Sequence, residues 1–523
     1  MSPDILVADE VADEVAEKQD LVAPNSIDLK KNNSPDLVFF QQFPTPYFGI
    51  LSLSSFLENK GYKCDVLIAG LEEDPVNKLK EMQPLVVGIS VLSTEHRWLI
   101  KFSSDIRKAL PDTIILVGGI HAQLYPNEIL KDVPDVDFVC NSEGEGVVPY
   151  LFEELTKPPE KRNMAGVFGI SYRNEDGTHQ HNEVAPLISF ADDIIEDRQM
   201  YFDRYPTMEK DDVYQFFSAR GCAYNCSFCY VPNLKKAFKN KGKFMRSKPV
   251  ENFIEEIVRQ KEKHNIKSIF FYDDFFTYNM KWMTEFLTLY KEKVDIPFMC
   301  TTIADLMPEK MARMLSEAGC QTVSFGIETG SYHIRKNILV KDITDEEIIT
   351  CGRNIRKYGM NAQTSNMFCL PGETLEDAFK TIELNIKAKI NFCFSALFLP
   401  FPNQGVTEHA IKIGALKQDY SLHDMPSTFL ATSLIDIPEK EAIKNVHRLG
   451  YFFVKYPWTF RLFKNTVRWE FLNPLFYLLS ILGNFLRHKE ERGISFVPAI
   501  RFAWRAKKTF SANLFLPSKK EAF

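Results

Sequence analysis

Between Leu37 and Pro402 the chain alternates short apolar runs with helix-length stretches, in two successive series. The first series is "LVFF" (37–40), "CDVLIAG" (64–70), "LVVGISV" (85–91), "TIILVGG" (113–119) and "VDFVCN" (136–141). Helical patterns lie between and after them, among them 49–62, 96–109 and 147–156. Apolar strands separated by helices are buried on both faces, which predicts a doubly wound parallel sheet of about five strands. Such sheets bind ligands at the carboxyl ends of their strands. There the chain carries "SVLSTEH" (90–96), "GGIHA" (118–122) and "NSEGEG" (141–146), whose glycines let backbone approach a ligand closely.

The second series is "VYQFFSARGC" (213–222), "SIFFYDD" (268–274), "PFMCTTI" (297–303), "TVSFGIE" (322–328), "NAQTSNMFCLPGE" (361–373) and "NFCFSALFLPFP" (391–402). Helical patterns at 250–264, 280–292, 308–318, 344–358 and 375–388 separate them. Six βα units are too few for an eightfold barrel, so a partial, open (β/α)6 barrel of the TIM type is expected. The fold class is therefore α/β: a Rossmann-like sheet domain at 35–159, the barrel at 206–405 and a mainly helical domain at 406–523. Residues 160–205 contain a hairpin pattern turning at "EDG" and are expected to link the domains. Met1–Ser34 holds eight Asp/Glu, three Lys and no aromatics, which predicts a disordered acidic leader (1–34) rather than a signal peptide.

The C-terminal region is rich in Phe, Trp, Leu, Lys and Arg. From Tyr451 to Phe523 there are 13 Lys/Arg and 4 Asp/Glu, so 13 − 4 gives a formal +9. The 16-residue apolar run 471–486 is shorter than the roughly 20 residues of a membrane span. It reads as a helical cap over the barrel mouth, or as an interfacial surface touching anionic lipid or an apolar substrate. A net charge of −6 for the whole chain argues against a nucleic-acid partner. Of the ten cysteines, seven are scattered among apolar neighbours and read as buried small hydrophobes.

The other three stand together in "RGCAYNCSFCYVP" as Cys222, Cys226 and Cys229. A structural zinc ion takes four protein ligands, and an ordinary four-iron cluster takes four cysteines. His181 and His264 are the nearest histidines in sequence, and both are distant. Three cysteines on a four-iron cluster leave one iron open, as catalytic metal sites do. The motif directly follows the first strand of the second series, at the active face of such a barrel. A zinc site completed by a distant residue is the alternative on these residues alone.

With the aromatic Phe228 before its last cysteine, C-x3-C-x-aromatic-C resembles the radical S-adenosylmethionine (SAM) enzymes. "FFYDDFFTYN" (270–279) resembles that family's segment after the second strand, "VSFGIETGS" (323–331) its fourth-strand motif, and "MFCLPGET" (367–374) its GLPGE loop. Cys369 stands where glycine is usual, and Ile303 where many relatives carry Arg. The resemblance implies a [4Fe–4S] cluster on Cys222, Cys226 and Cys229, with SAM contacts at Phe228, Tyr230, Asp273, Asp274, Ser324 and Glu328. "VGGIHAQLYPNEIL" (117–130) and "VDFVCNSEGEGVVPYLFEEL" (136–155) are similar to the cobalamin-binding domain of the B12-dependent group. That likeness implies cobalamin contacts at Ser93, Thr94, Gly118, Gly119, His121, Glu143, Gly144 and Glu145. No D-x-H-x-x-G motif is present, and "QQFPTPYFG" (41–49) has no His. The corrin is therefore expected without a histidine lower ligand, and His121 as a loop or corrin-side-chain contact.

The family's chemistry would be reductive cleavage of SAM to a 5′-deoxyadenosyl radical, hydrogen abstraction from an unactivated carbon, and transfer of a methyl group from methylcobalamin. Alternatives are a ring-forming or rearranging enzyme like the porphyrin-ester cyclases, and a non-catalytic cobalamin- or SAM-binding protein. A flavodoxin- or ferredoxin-type electron donor and an organic substrate, large and apolar on the evidence of the C-terminal region, are the expected partners. The expected location is cytoplasmic, with peripheral membrane contact through that region.

Overall fold

The computed structural model describes residues 34–189, 196–426, 430 and 432–491. The expected acidic leader, but for Ser34, and residues 492–523 lie outside the described residues. The chain divides into two compact units, Met1–Lys210 with Asn233–Ser247, and Asp211–Pro232 with Lys248–Phe523.

In the first unit, β1 (Leu37–Gln41), β2 (Cys64–Ile68), β3 (Val86–Ser90), β4 (Ile114–Gly118) and β5 (Phe138–Cys140) form a parallel sheet in the order β2-β1-β3-β4-β5. The helices between them include α1 (Phe48–Asn59), α2 (Pro75–Met82), α3 (His96–Ala109), α4 (Ile120–Leu124) and α5 (Pro126–Asp132), with α6 (Val148–Thr156) following β5. Val38, Phe40, Val87, Ile89, Ile115 and Val117 are buried against Leu99, Ile106 and Ile129 of α3 and α5. Trp98 stacks on Phe40 at 5.3 Å. The hairpin expected at "EDG" forms as β6 (Ile170–Arg173) and β7 (His179–His181). It does more than connect, because β6 pairs antiparallel with β5 and widens the sheet to seven strands. α7 (Gln199–Arg204) follows and packs near β2 through Arg204, whose guanidinium pairs with Asp65.

In the second unit, β8 (Val213–Phe216) leads through the two-residue β9 (Ala219–Arg220) into the cysteine loop. The chain then passes through α8 (Val231–Ala237) and β10 (Arg246–Ser247), of which 233–247 belong to the first unit, and returns to the second with α9 (Val250–Lys263) and β11 (Ser268–Phe271). The series continues with α10 (Met280–Lys293), β12 (Phe298–Thr302), α11 (Glu309–Glu317), β13 (Cys320–Glu328), α12 (Asp345–Lys357), β14 (Asn361–Phe368), α13 (Leu375–Lys387) and β15 (Phe392–Leu397). Six parallel strands stand in the order β15-β14-β13-β12-β11-β8, the half-barrel that the sequence predicts. α12 and α13 start where capping boxes place them, Thr344 with Glu347 and Thr374 with Asp377.

Along the strands burial alternates with period two. Phe216, Ile269, Phe271, Cys300 and Val323 are buried, whereas Gln215, Phe270, Met299, Thr301, Ser324, Gln363 and Ser365 are half-exposed on the other face. The buried face packs on α9 and α10 through an aromatic core, where Phe271 stacks on Phe276 at 4.5 Å and Trp282 on Phe286 at 4.9 Å. On the half-exposed face Thr301, Ser324 and Gln363 are in register across β12, β13 and β14, a polar band across the barrel interior.

β15 is an edge strand, and α15 (Lys440–Lys455) covers it. Buried His447 meets the Ser395 carbonyl through Nε2 at 3.2 Å. A Cβ on Gly450 would lie 2.9 Å from Ser395 Oγ, so glycine permits this approach. α16 (Pro457–Phe463) and α17 (Asn473–Glu491) pack on α15. The C-terminal region thus runs along the barrel's open edge.

Candidate functional site

The cysteine loop is tied to four neighbouring strands. Asp273, two residues past the end of β11, accepts with Oδ1 from Ser218 N at 2.9 Å and Ser218 Oγ at 2.7 Å. Tyr224, inside the motif, donates to Asp305 after β12 at 2.6 Å. Ser227 donates from N to the Leu339 carbonyl at 2.9 Å and from Oγ to the Ile338 carbonyl at 2.6 Å, in the segment after β13. Val406 N, after β15, donates to the Ser227 carbonyl at 3.2 Å. The loop is therefore held in one shape by the protein.

Cys222, Cys226 and Cys229 are half-buried thiols. The Cys229 thiol is pushed up to about 12 by burial, then by Asp274, Cys226 and Cys222. Three neighbouring thiols ionise together only around a cation, the charge that iron would supply. The donor set, three soft thiolates on one pinned loop, fits a four-iron cluster with one open iron. His264 is not the fourth ligand. It caps the C-terminal end of α9 and packs on Tyr214 at 5.9 Å, at the opposite end of the strands from the loop.

The proposed SAM residues divide into two groups. Phe228 and Tyr230 are half-buried beside the cysteines, Ser324 faces the barrel interior, and Asp274 lies close enough to Cys229 and Tyr230 to raise both. Asp273 is enclosed at 3% exposure, and burial lifts its carboxyl to about 7. Its Oδ1 holds the loop, while its Oδ2 is buried with no hydrogen-bond partner among the described residues. Glu328 sits past a register shift with a left-handed φ of 67°. Its carboxylate folds back onto its own strand, where Lys341 Nζ lies 2.8 Å from Glu328 Oε1 and 2.9 Å from the Gly326 carbonyl. A Cβ on Gly326 would stand 1.9 Å from Glu328 Oε1, so a side chain there would displace that carboxylate. Cys369 adopts φ 60°, the conformation that glycine would take without strain, and is fully buried. Lys341, Tyr224, Asp305 and Ser218 are site residues that pattern reading does not reveal. Tyr224 alone carried a signal, its place inside the motif.

The strand order of the first unit reverses between β1 and β3, which makes the crevice at their carboxyl ends the binding position of such a sheet. Tyr47 follows β1 there and Glu95 follows β3. Glu95 Oε2 accepts from Leu92 N at 2.7 Å. Glu95 Oε1 and Tyr47 Oη are buried with no hydrogen-bond partner among the described residues. Burial pushes the Glu95 carboxyl up to about 8, and burial followed by Glu95 raises the Tyr47 phenol. Two orphaned polar atoms at the switch point fit a corrin, whose rim of amides offers donors and acceptors.

Of the residues expected to hold cobalamin, Thr94 follows β3, and Gly118 and Gly119 stand at the carboxyl end of β4. Gly119 has φ 86°, and a Cβ on it would lie 3.0 Å from Val91 N and O, so its freedom serves the fold as well. The others are engaged inside the protein. Glu143 forms a two-pronged pair with Arg246, 2.7 Å and 2.8 Å, and accepts from Ile188 N. Glu145 accepts from Ser52 Oγ at 2.6 Å. Gly144 packs against Leu53. His121 is fully buried in α4, with Nδ1 3.1 Å from Ser93 Oγ and Nε2 2.9 Å from His96 Nδ1. His96 Nε2 continues to Asp132 at 3.1 Å. Burial, then His96, lowers His121 to about 3, so it is neutral, and the chain of donors runs Ser93, His121, His96, Asp132. Both nitrogens of His121 are engaged, which removes it as a ligand.

Residues 41–152 match the B12 binding domain model, and residues 217–384 match that of the Radical SAM superfamily. An uncharacterized methyltransferase of Pyrococcus horikoshii is 30% identical over 378 residues, 70% of this chain and 78% of that relative. The anaerobic magnesium-protoporphyrin IX monomethyl ester cyclase of Rubrivivax gelatinosus is 24% identical over 460 residues, 84% of this chain and 78% of the relative. Among solved structures, the cobalamin-dependent S-adenosylmethionine radical enzyme OxsB, with aqua-cobalamin and S-adenosylmethionine bound, shares the fold at a TM-score of 0.64 and 15% identity, covering 94% of this chain and 78% of that one. Fold and cysteine loop together define a radical SAM enzyme with a B12-binding module. The chain belongs to the cobalamin-dependent radical SAM family, whose cofactors are a [4Fe–4S] cluster, SAM and cobalamin.

Proposed function

We propose that this enzyme is a C-methyltransferase acting on an unactivated carbon of an organic substrate. The observation that carries the reading is the joint occurrence, in one chain, of the pinned three-cysteine loop and a B12 module with orphaned polar atoms at its switch point. The likeness to a methyltransferase over 78% of that relative's length supports it. When bound, the cofactors supply a carbon radical derived from SAM and a methyl group carried by cobalamin.

The chain's own residues supply placement. Cys222, Cys226 and Cys229 would hold the cluster, with Phe228 and Tyr230 packing beside it. Asp274 and Ser324 would accept hydrogen bonds from SAM. Lys341 Nζ, 2.8 Å from Glu328 Oε1, fixes that carboxylate at the end of β13. Tyr47 and Glu95 would bind corrin amides. Glu95, protonated near neutrality, can donate as well as accept. The polar band Thr301, Ser324 and Gln363 favours a substrate with hydrogen-bonding groups at the reacting end. A flavodoxin- or ferredoxin-type protein is the proposed electron donor.

The test is reconstituted enzyme with methyl-deuterated SAM, a reduced flavodoxin and a small-molecule extract of the source cells. Methyl transfer predicts 5′-deoxyadenosine together with a product heavier by the labelled methyl group. The similarity to a porphyrin-ester cyclase over 84% of the chain favours ring formation as the second reading. Deoxyadenosine accompanied by an unlabelled new product would replace the first reading with the second.

A further inference from the structure

The outer helices of the C-terminal region carry a broad apolar face. α15 buries one side of this layer, through Phe460 of α16, Val467 of the turn after it and Phe476 of α17. On the exposed side stand Trp458 (59% exposed), Leu462 (68%), Trp469 (51%), Phe471 (76%), Leu475 (49%) and Leu478 (63%). Leu475, Leu478 and Leu482 are spaced i, i+3, i+7 and form one stripe of α17. The rings of Trp469 and Phe471 stack at 6.0 Å and 14°, presenting an aromatic plate outward. Large side chains about half exposed in this number give on the order of 1,000 Å² of apolar surface. The largest patch on a typical monomer is roughly 300–600 Å².

Charge identifies the occupant. From Lys455 to Glu491 the sequence has Lys455, Arg461, Lys464, Arg468, Arg487 and Lys489 against Glu470, Glu490 and Glu491, a net +3; Lys455 pairs with Glu490, Arg468 with Glu439, and Arg487 stacks on Phe394. An apolar face with Trp at its rim and a basic surround matches an anionic bilayer surface, where Trp sits at headgroup level and Lys/Arg meet lipid phosphates. A crossing helix is not the means, because among the described residues no helix is long and apolar enough to span a membrane. The exposed stripe of α17 is not turned to the barrel, which that helix meets through Arg487 on the Phe394 ring of β15.

We propose that this face is a peripheral membrane-binding surface for anionic lipid, with Trp469 and Phe471 inserted and Arg461 and Arg468 against the headgroups. The inference does not depend on the reaction catalysed. The test is flotation of the full-length holoenzyme with vesicles of phosphatidylcholine and phosphatidylglycerol (70:30), compared with phosphatidylcholine alone. The protein should float with the anionic vesicles and at least tenfold less with the neutral ones. Trp469→Glu with Phe471→Glu, and separately Arg461→Glu with Arg468→Glu, should each lower partitioning at least tenfold. Their melting temperatures should stay within a few degrees of the parent, since these side chains are exposed. Absence of flotation, flotation unchanged in both variants, or a dimer in light scattering that Trp469→Glu/Phe471→Glu converts to monomer would overturn the proposal. The last result would assign the face to a second copy of the chain.

Discussion

Replacing Lys341 with methionine keeps most of the stem's volume and deletes the ammonium that holds Glu328. The two side chains are 8% and 11% exposed, and Nζ contacts both the carboxylate and the Gly326 carbonyl. Removing one partner of such a pair strands the other charge, which costs about 3–5 kcal/mol. Glu328 also holds a left-handed backbone worth about 1–2 kcal/mol of strain, which the pair helps to maintain. Lys341→Met should therefore lower the stability of the β13 end by about 3–5 kcal/mol. Because the chain has two units, a single unfolding midpoint is a poor reporter. Hydrogen exchange in peptides covering 320–330 reads the loss locally, as protection falling by two to four orders of magnitude at about 1.4 kcal/mol per order. The double variant Glu328→Gln/Lys341→Met leaves no buried charge and should recover most of the protection. A cost below about 1 kcal/mol, or a double variant no better than the single, would refute the reasoning that the ion pair holds this strand end.

A Cβ at Gly330 would lie 2.2 Å from the Lys380 carbonyl carbon of α13, so Gly330→Ala should cost about 3 kcal/mol or more and lower the barrel's melting temperature. Glu95 titrates near 8 in the folded chain against 4.5 unfolded. Between those values the native state holds the extra proton, so stability falls as pH rises through this window. Glu95→Gln should thus gain on the parent between pH 5.5 and 8 in denaturant unfolding; an equal difference at both pH values would contradict the burial argument. Tyr224→Phe removes one tie on the cysteine loop, worth about 1 kcal/mol, and should speed loss of iron in air without changing the amount initially bound.

Elements were legible wherever periodicity determines them. The eleven strands of the two parallel sheets fall where the apolar runs place them, and α3, α9, α10, α12 and α13 begin and end within a residue or two of their patterns. The hairpin at "EDG" was legible too, but its pairing with β5 was not, because an edge strand carries no mark of the neighbour it will join. In the site, the cysteine loop could be read because its three ligands are local in sequence. The carboxylates could not. Glu143 is claimed by Arg246, 103 positions away, Glu145 by Ser52, 93 positions away, and Asp273 by Ser218, 55 positions away. Spacing gives no sign of such partners. Tyr47 and Glu95 escape notice for the complementary reason: in sequence they look like an ordinary aromatic and a helix-start acid, and only burial shows that each has an atom left over.

Cys222, Cys226 and Cys229 would hold a four-iron cluster whose open position receives SAM. Electron paramagnetic resonance of the anaerobically purified, reduced protein tests it most directly, recorded with and without SAM alongside iron and zinc analysis. The account predicts about four irons per chain in the cysteine loop and a cluster signal whose g-values shift when SAM is added. Zinc in place of iron, or a cluster signal that SAM leaves unchanged, would contradict it.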